Sequence, residues 1–267
     1  MRQQRSYPTE AIILKHLNLG EADRVITLFT PRRGKYNVIA KGTRRPVSRK
    51  AGHLELLSYS QIQLALGRNF DIVTQAVERE HFAHLRTELW HMTCGIYLAE
   101  LIDRFIEDTT AHPDVYNLLL ESLRFLDLNA AELKRQRREG TVSVGQDHNR
   151  TQLLLRYFEI YLLSAVGYEP VLRTCAHCDA EIQPVENGFT PSLGGALCPN
   201  CSHLWTRPIS MNALKVLRLL QRTAWAHVPY FNLDAHLHSE LEAVMYSLLR
   251  FHLERDLKAW SFLEMLH

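Results

Sequence analysis

The chain of 267 residues (30.9 kDa) is 46% apolar and 22% charged, which excludes an intrinsically disordered protein and predicts two or more globular units. It holds no run of about 18 apolar residues, and residues 1–5 are not followed by a signal-peptide pattern, so we expect a cytoplasmic protein without a membrane span. In that compartment the five cysteines are expected to be metal ligands or free thiols, not disulfides.

Positive charge is concentrated at the amino-terminal end. Residues 1–50 hold 12 Lys or Arg against 3 Asp or Glu, whereas the rest of the chain holds 19 against 26. A surface of one sign attracts a polyanion, because each neutralised phosphate releases condensed counterions. We therefore favour a DNA-binding surface over a merely solvated basic one, with these candidate residues: Arg32, Arg33, Lys35, Lys41, Arg44, Arg45, Arg49 and Lys50.

Five short segments in the first eighty residues have the composition of β-strands. One of them alternates apolar and polar residues strictly, and another is rich in β-branched residues and stops at Pro31. Five strands with one long connection predict a closed barrel of the oligonucleotide-binding (OB) type, although an SH3-like barrel or a small open sheet fits almost as well. The predicted strands are Glu10–Lys15, Arg24–Thr30, Lys35–Ala40, Gln61–Gly67 and Phe70–Val77.

Several side chains of this region have two possible roles. Aromatic rings on the strands can stack on bases, but the barrel core is the expected place for most of them: Phe29, Tyr36, Tyr59 and Phe70. Arg24 stands beside Glu21 and Asp23, so a structural ion pair is as plausible as a contact with DNA.

From His81 onward the apolar residues recur every three or four positions, which predicts amphipathic helices. The first helix is assigned the apolar stripe Phe82, Leu85, Leu89, Met92, Ile96 and Ala99. Pro113 is expected to open a second helix, and Thr151–Val166 a third that ends at Gly167. Residues 129–150 are polar and basic, and we interpret their second half as a flexible loop.

Two helix starts are predicted near the carboxyl-terminal end. Ser210 is a plausible N-cap, and Ser239 with Glu242 has the spacing of a capping box before an apolar run. Cys94, on the first helix, is expected to be a buried apolar thiol.

Four cysteines carry the most specific chemical signal of the chain. Two Cys-x-x-Cys pairs are separated by 19 residues, and the segment Asn187–Gly195 between them has the composition of a hairpin. Two residues between ligands let a tight turn direct both thiolates at one ion, and a complete set of four leaves no position for water, so a structural zinc ribbon is favoured over catalysis or redox chemistry. The predicted ligands of this one zinc ion are Cys175, Cys178, Cys198 and Cys201.

Motifs of nucleotide hydrolysis and of hydrolytic catalysis are absent from the sequence. It contains no Gly-x-x-x-x-Gly-Lys-Ser/Thr loop, no Gly-x-Ser-x-Gly elbow and no His-Glu-x-x-His. We therefore expect a binding protein and not an enzyme.

The arrangement of these motifs closely resembles the bacterial recombination mediator family RecO. The resemblance covers most of the chain, and it is carried by Glu10–Lys15, Gly20–Thr30, Gly34–Lys35, Ala40–Arg49, Gly167–Pro170, Phe189–Pro191, Gly194–Gly195 and the two cysteine pairs. It implies binding to single- and double-stranded DNA and annealing of complementary strands. It also implies partnership with RecR and with the single-stranded DNA-binding protein SSB, so that a RecA-type recombinase is loaded.

Together these features predict an α+β protein, in which an OB-type barrel precedes a mostly helical domain with an inserted four-cysteine ribbon. The predicted borders are 1–80 for the barrel, 81–172 and 207–267 for the two helical parts, and 173–206 for the ribbon. Two other classes of function stay open. One is a scaffold whose acidic helical remainder docks repair proteins; the other, which the sequence supports less, is a zinc-dependent nucleic-acid enzyme.

Overall fold

A computed structural model describes residues 6–45, 48, 50–140, 148–254 and 256–266. The candidate Arg49 and the predicted loop at 141–147 lie outside the described residues. The chain divides into two compact units, of which the first comprises residues 1–134 with 259–267 and the second residues 135–258. This division differs from the predicted borders, because the barrel shares a unit with the helices that follow it and with the last helix of the chain.

The first unit contains the predicted barrel. Five strands close in the order β1-β2-β3-β5-β4, with β3 and β5 parallel and the other neighbours antiparallel. Closure removes free sheet edges and excludes the small open sheet, and the strand order with its parallel β3–β5 pair is that of the OB type and not of an SH3-like barrel. The strands are β1 Ser6–Leu19, β2 Asp23–Thr30, β3 Gly34–Ala40, β4 Tyr59–Ala65 and β5 Asp71–Glu80.

Alternation along the strands fills the barrel. The interior is apolar and includes Ile26 and Leu28 of β2, Val38 of β3, and Ile62 and Leu64 of β4. On the outer wall Phe29 is also fully buried, because its ring lies 5.8 Å from that of Tyr116 on a helix of the same unit. Packing a helix against this wall therefore makes two faces of β2 apolar.

Helix α1 begins later than the sequence indicated. It spans Leu89–Phe105, and a short 3-10 turn at Leu85–Thr87 precedes it. The expected apolar stripe was wrong in part, since Leu89 and Ile96 are 68% and 36% exposed. The stripe was drawn through residues that precede the helix, so its phase was shifted. The buried face of α1 includes Ala99 of the predicted stripe together with Trp90, Cys94, Tyr97, Leu98, Leu101 and Ile102.

Helix α2 spans Pro113–Glu139, so it opens at the predicted proline and takes in the first half of the polar stretch 129–150. Ala130 and Leu133 are buried on this extension, which explains why a charged sequence stays helical there. Cys94 is fully buried, as expected. The last helix of the chain, α6 Lys258–Leu266, caps its start by a bond from the Ala259 amide to Glu100 at 2.8 Å.

The second unit holds the remaining helices and a small sheet. Helix α3 spans Asn149–Ala165, α4 Met211–Leu220 and α5 Ala235–Leu253, and the sheet has the order β7-β6-β8. The strands are β6 Asn187–Thr190, β7 Gly195–Leu197 and β8 Arg207–Ile209. Among the described residues no helix is long and apolar enough to cross a membrane.

The helix-end predictions of this unit have different outcomes. The Ser210 hydroxyl accepts from the Ala213 amide, which confirms the predicted N-cap of α4. The predicted capping box at Ser239 was wrong: α5 begins one turn earlier, where Asp234 accepts from the Leu237 amide at 2.8 Å. An aspartate N-cap precedes Ser239, whose hydroxyl instead bonds inside the helix.

Candidate nucleic-acid interface and metal centre

The acid-free run 31–50 is divided between the two ends of the barrel. Residues 31–33 form the turn from β2 to β3, and residues 41–45 lie after β3, at the other end of that strand. A seven-residue strand separates the two groups by about 20 Å. We call them the β2–β3 end (Arg32, Arg33 and Lys35) and the β1–β2 end (Lys41, Arg44 and Arg45).

At the β1–β2 end, the chain leaving β3 is held against the turn between β1 and β2. The Gly42 amide donates to Asp23 Oδ1 at 2.8 Å, and the Arg44 amide donates to the Ala22 carbonyl at 3.0 Å. Arg44 also donates one guanidinium N–H to the Gly20 carbonyl at 2.8 Å. These bonds fix the backbone and leave the cationic heads outward.

The three cations of the β1–β2 end are exposed, and no described carboxylate lies within ion-pair distance of them. Asp23 lies in the same turn but accepts from a backbone amide, and a fixed backbone whose cationic heads are not paired with acids attracts a phosphate chain.

The β2–β3 end is arranged differently. Arg33 lies over the rings of Tyr7 and Tyr36, at 5.1 Å and 4.7 Å from their centroids. It also donates to the Tyr7 hydroxyl and lies 3.3 Å from Asp71 Oδ2. Burial and the bond to Asp71 raise the pKa of Tyr7, so its phenol stays neutral. The Nη1 group of Arg33 is therefore already bonded inside the protein, and its charge is paired with Asp71.

Lys35 is withdrawn from the proposed DNA contacts. Its side chain is only 10% exposed, and its Nζ lies 3.4 Å from Asp103 Oδ1 and 3.3 Å from Asp108 Oδ1. The Asp103 carbonyl accepts a further bond from the same ammonium. A lysine surrounded in this way fastens β3 to the end of α1 and to the connection after it, and its charge is already paired with two carboxylates.

The two remaining described candidates, Arg32 and Lys50, differ in exposure. Arg32 is exposed at the tip of the β2–β3 turn. Lys50 is half-buried and donates to the Val73 carbonyl on β5 at 3.1 Å.

The aromatic candidates are mostly core. Phe29 and Tyr36 are buried and Tyr59 is half-buried, whereas Phe70 is 43% exposed in the turn before β5. Arg24 lies 3.9 Å from Glu55 Oε1, so it has an acidic neighbour that differs from the two adjacent in sequence.

The four predicted cysteine ligands lie together in the second unit. Cys198 follows β7 directly, and Cys201 closes a turn on it by donating to the Cys198 carbonyl at 3.0 Å. The first pair forms a matching turn, in which the Asp179 amide donates to the Cys175 carbonyl at 2.9 Å. The Ala176 amide joins the two turns by donating to the Ala196 carbonyl at 2.8 Å.

The thiol geometry suits a metal ion. All four Sγ atoms lie within 4.8 Å of one another, and those of Cys178 and Cys198 are 3.6 Å apart. A tetrahedron with metal–sulfur bonds of about 2.3 Å has sulfur–sulfur edges of about 3.8 Å. The predicted cluster is therefore confirmed as a site able to hold a metal.

The cysteine thiols of this cluster differ widely in their pKa. Burial raises the pKa of Cys175, but amides of Cys198, Cys178 and His177 outweigh it and bring this pKa to about 6. Burial and the neighbouring Cys178 thiol raise the pKa of Cys201 to about 12. A bound divalent cation would lower the pKa of every ligand thiol, because it favours the thiolate form.

A glycine shapes the sheet beside this centre. A Cβ at Gly188 would lie 2.1 Å from the Trp205 ring, whose Nε1–H donates to the Cys198 carbonyl at 3.3 Å. Only glycine lets the indole cross β6 and reach the second cysteine turn.

Comparison with known proteins places the chain in a family. The family models described as "Recombination protein O N terminal" and "Recombination protein O C terminal" match residues 1–81, and residues 86–137 with 144–261. The chain belongs to the RecO family. This membership carries a role in DNA repair and recombination, and it agrees with the resemblance seen in the sequence.

Similar RecO proteins match over almost the whole chain. A "DNA repair protein RecO" of Roseiflexus sp. strain RS-1 is 37% identical over 264 residues, covering 98% of this chain and 86% of the relative. A relative of the same description from Dehalococcoides mccartyi is 34% identical over 267 residues, covering 100% and 98%. Another from Desulforudis audaxviator is 34% identical over 262 residues, covering 97% and 96%.

The sequence analysis missed the acids that form ion pairs with cations of the β2–β3 end, and these ion pairs distinguish that end from the β1–β2 end. Asp71 is 38 residues from Arg33, and Asp103 is 68 residues from Lys35. No local pattern connects such positions. The one available signal was Asp103 within an otherwise apolar helical stripe.

Proposed function

We propose that this RecO-family chain is a non-enzymatic mediator of DNA repair and recombination. It binds single- and double-stranded DNA and anneals complementary strands, and it helps to load a RecA-type recombinase onto single-stranded DNA coated by SSB. The observation that carries the proposal is the β1–β2 end, where Lys41, Arg44 and Arg45 point outward from a hydrogen-bonded backbone without an acidic partner among the described residues.

Contact with phosphate is independent of base sequence, as a protein acting at damage anywhere in a genome requires. Each cation that neutralises a phosphate releases counterions, so affinity falls as salt rises. Arg32 extends the surface from the other end of the barrel, and the exposed Phe70 offers a ring on which a base can stack. Arg33 contributes less because its charge is paired with Asp71, and Lys50 contributes less because it is half-buried against β5.

Annealing needs no nucleotide hydrolysis in this proposal. Base pairing supplies the free energy, and the protein lowers the repulsion between two phosphate chains that approach each other. RecR and SSB are proposed as partners because the family resemblance implies them, and the recombinase is reached through them.

We further propose that the metal is one zinc ion with a structural role. Four cysteines fill a tetrahedral zinc shell and leave no position for a substrate or a water. The ion would be held by Cys175, Cys178, Cys198 and Cys201, and it would fix the two turns that flank β7.

The proposal is tested by annealing of fluorescently labelled complementary oligonucleotides without ATP, both bare and coated with SSB. We expect the full chain to accelerate annealing in both cases. A variant with Lys41→Gln, Arg44→Gln and Arg45→Gln, called the triple variant, is expected to be at least tenfold slower. Its control, Arg138→Gln with Arg150→Gln and Arg250→Gln, removes the same charge from exposed positions elsewhere. Equal annealing by the triple variant and the wild type would reject the proposal.

A scaffold is the second candidate, and exposed apolar side chains of the first unit favour it. Phe262 and Met265, three residues apart on α6, are 62% and 74% exposed. Substituting both with Ser separates the candidates. A scaffold would lose binding to RecR or SSB and repair in cells, whereas a DNA-centred mediator would keep annealing of bare strands.

A further inference from the structure

A second cationic surface lies on the second unit, away from the barrel in sequence. Helix α4 and the two residues after it carry Lys215, Arg218 and Arg222, and the segment Met211–Arg222 contains no Asp or Glu. The spacing of three and four residues puts the three cations on one helix face, where Lys215 and Arg222 are exposed.

The segment before the first cysteine pair runs beside this helix. Arg218 Nε donates to the Leu172 carbonyl at 2.8 Å, and Gln221 Nε2 donates to the Pro170 carbonyl at 2.9 Å. With Pro170 and Leu172 turned inward, Val171 and Arg173 are exposed. Arg173 thereby joins the cations of α4.

The charges of the four cations reinforce one another. Burial, together with the positive charges of Arg173 and Arg222, lowers the pKa of Arg218, and Glu181 is the acid that opposes this effect. Glu169 is exposed on the same segment, and Glu240 is bound to Ser210 at the far end of α4. Four cations against these three carboxylates leave a net positive charge on this surface.

Aromatic rings stand at the other end of the same segment. Tyr168 stacks on His252 of α5 with centroids 4.1 Å apart, and Phe251 packs edge-on against that histidine at 5.6 Å. Tyr168 and Phe251 are each 48% exposed. Burial lowers the pKa of His252, so its ring is neutral near pH 7 and the group acts as an aromatic platform.

Rings and guanidinium groups therefore lie close together along this segment. Four residues separate Tyr168 from Arg173, a distance of at most about 17 Å for an extended chain. Stacking faces beside cations are the combination that single-stranded nucleic acid requires, since bases stack while phosphates bind the charges.

We infer that the face formed by Arg173, Lys215, Arg218 and Arg222 with the Tyr168–His252–Phe251 platform binds a second single strand of DNA. The inference rests on the proposed function, because annealing brings together two strands and the β1–β2 end supplies a place for one. The platform would hold bases unpaired until the partner strand arrives.

The test counts strands on the full chain. Native mass spectrometry and fluorescence titration with a 15-nucleotide poly-dT at low salt are expected to give two strands per wild-type chain. Lys215→Gln with Arg222→Gln is expected to leave one, and so is the triple variant at the β1–β2 end. Arg218 is kept, since it holds the segment at Leu172. The matched control, Arg138→Gln with Arg150→Gln, removes two exposed charges of the same unit and is expected to keep two.

A ring variant tests the platform separately. In the triple-variant background, Tyr168→Ala is expected to weaken the remaining strand about tenfold, as the loss of one stacked base does. Wild-type stoichiometry in the Lys215→Gln, Arg222→Gln variant would overturn the inference. So would unchanged DNA binding together with weaker capture of a poly-glutamate peptide, which would assign this face to an acidic protein. Unchanged DNA binding by the triple variant would instead count against the proposed function. The stoichiometry of the Lys215→Gln, Arg222→Gln variant would then test the inference by itself.

Discussion

The two ends of the barrel carry cations of the same sequence run but use them differently. At the β2–β3 end, Arg33 and Lys35 are bound to carboxylates of the same unit. At the β1–β2 end, Lys41, Arg44 and Arg45 bond only backbone atoms among the described residues or none at all. The cations of one run in the sequence thus divide into two groups: some form ion pairs within the fold, and the others stay exposed to a ligand.

Removal of the metal should cause the largest loss of structure, and this loss should not reach the two ends of the barrel. We expect chelation of the metal-loaded protein to unfold the turns around β7, because the metal–sulfur bonds that hold the two cysteine turns together are then lost. Hydrogen exchange should show faster exchange of the Cys175 and Ala176 amides, while amides of the barrel strands keep their protection. Unchanged protection of the ribbon after complete metal loss would contradict a structural ion.

Two glycines with similar backbone angles sharpen the contrast between the ends. Gly34 has φ +63° and a Cβ there would lie 1.9 Å from the Thr110 carbonyl oxygen, whereas Gly20 has φ +57° and open space around it. Gly20→Ala should cost only the left-handed conformation, about 1 kcal/mol. Gly34→Ala should cost about 3 kcal/mol or more, since the backbone must also move. Urea unfolding measures both, and equal losses would refute a packed β2–β3 end.

Lys35→Met should destabilise the protein without weakening DNA binding. It leaves Asp108 without its ammonium and Asp103 with Lys15, whose Nζ lies 3.6 Å from Asp103 Oδ2, and because both carboxylates retain contact with solvent we expect a loss of about 2 kcal/mol. Arg32→Met, at the exposed tip of the same turn, is the control and should change stability by less than about 0.5 kcal/mol. A Lys35→Met protein of normal stability that binds single strands poorly would return Lys35 to the DNA contacts.

The sequence predicted the elements better than it predicted which side chains remain available. Strict alternation located β4, and the Cys-x-x-Cys spacing located the metal ligands, because both patterns are local. The predicted phase of α1 was wrong because Phe82 and Leu85 are buried without belonging to α1, so their spacing does not continue the periodicity of that helix. The interpretation of Lys35 as a DNA contact changed for a different reason. Its carboxylate partners come from a helix distant in sequence and from the connection after that helix, and only the fold brings them together.

The salt dependence of single-strand binding tests the account most directly. Neutralising the three cations of the β1–β2 end in the triple variant should make the slope of log affinity against log salt shallower by about 2, as expected for three lost phosphate contacts. The variant of Arg138, Arg150 and Arg250 should keep the wild-type slope. Parallel lines for the wild type and the triple variant would contradict the account, because the exposed cations would then release no counterions on binding.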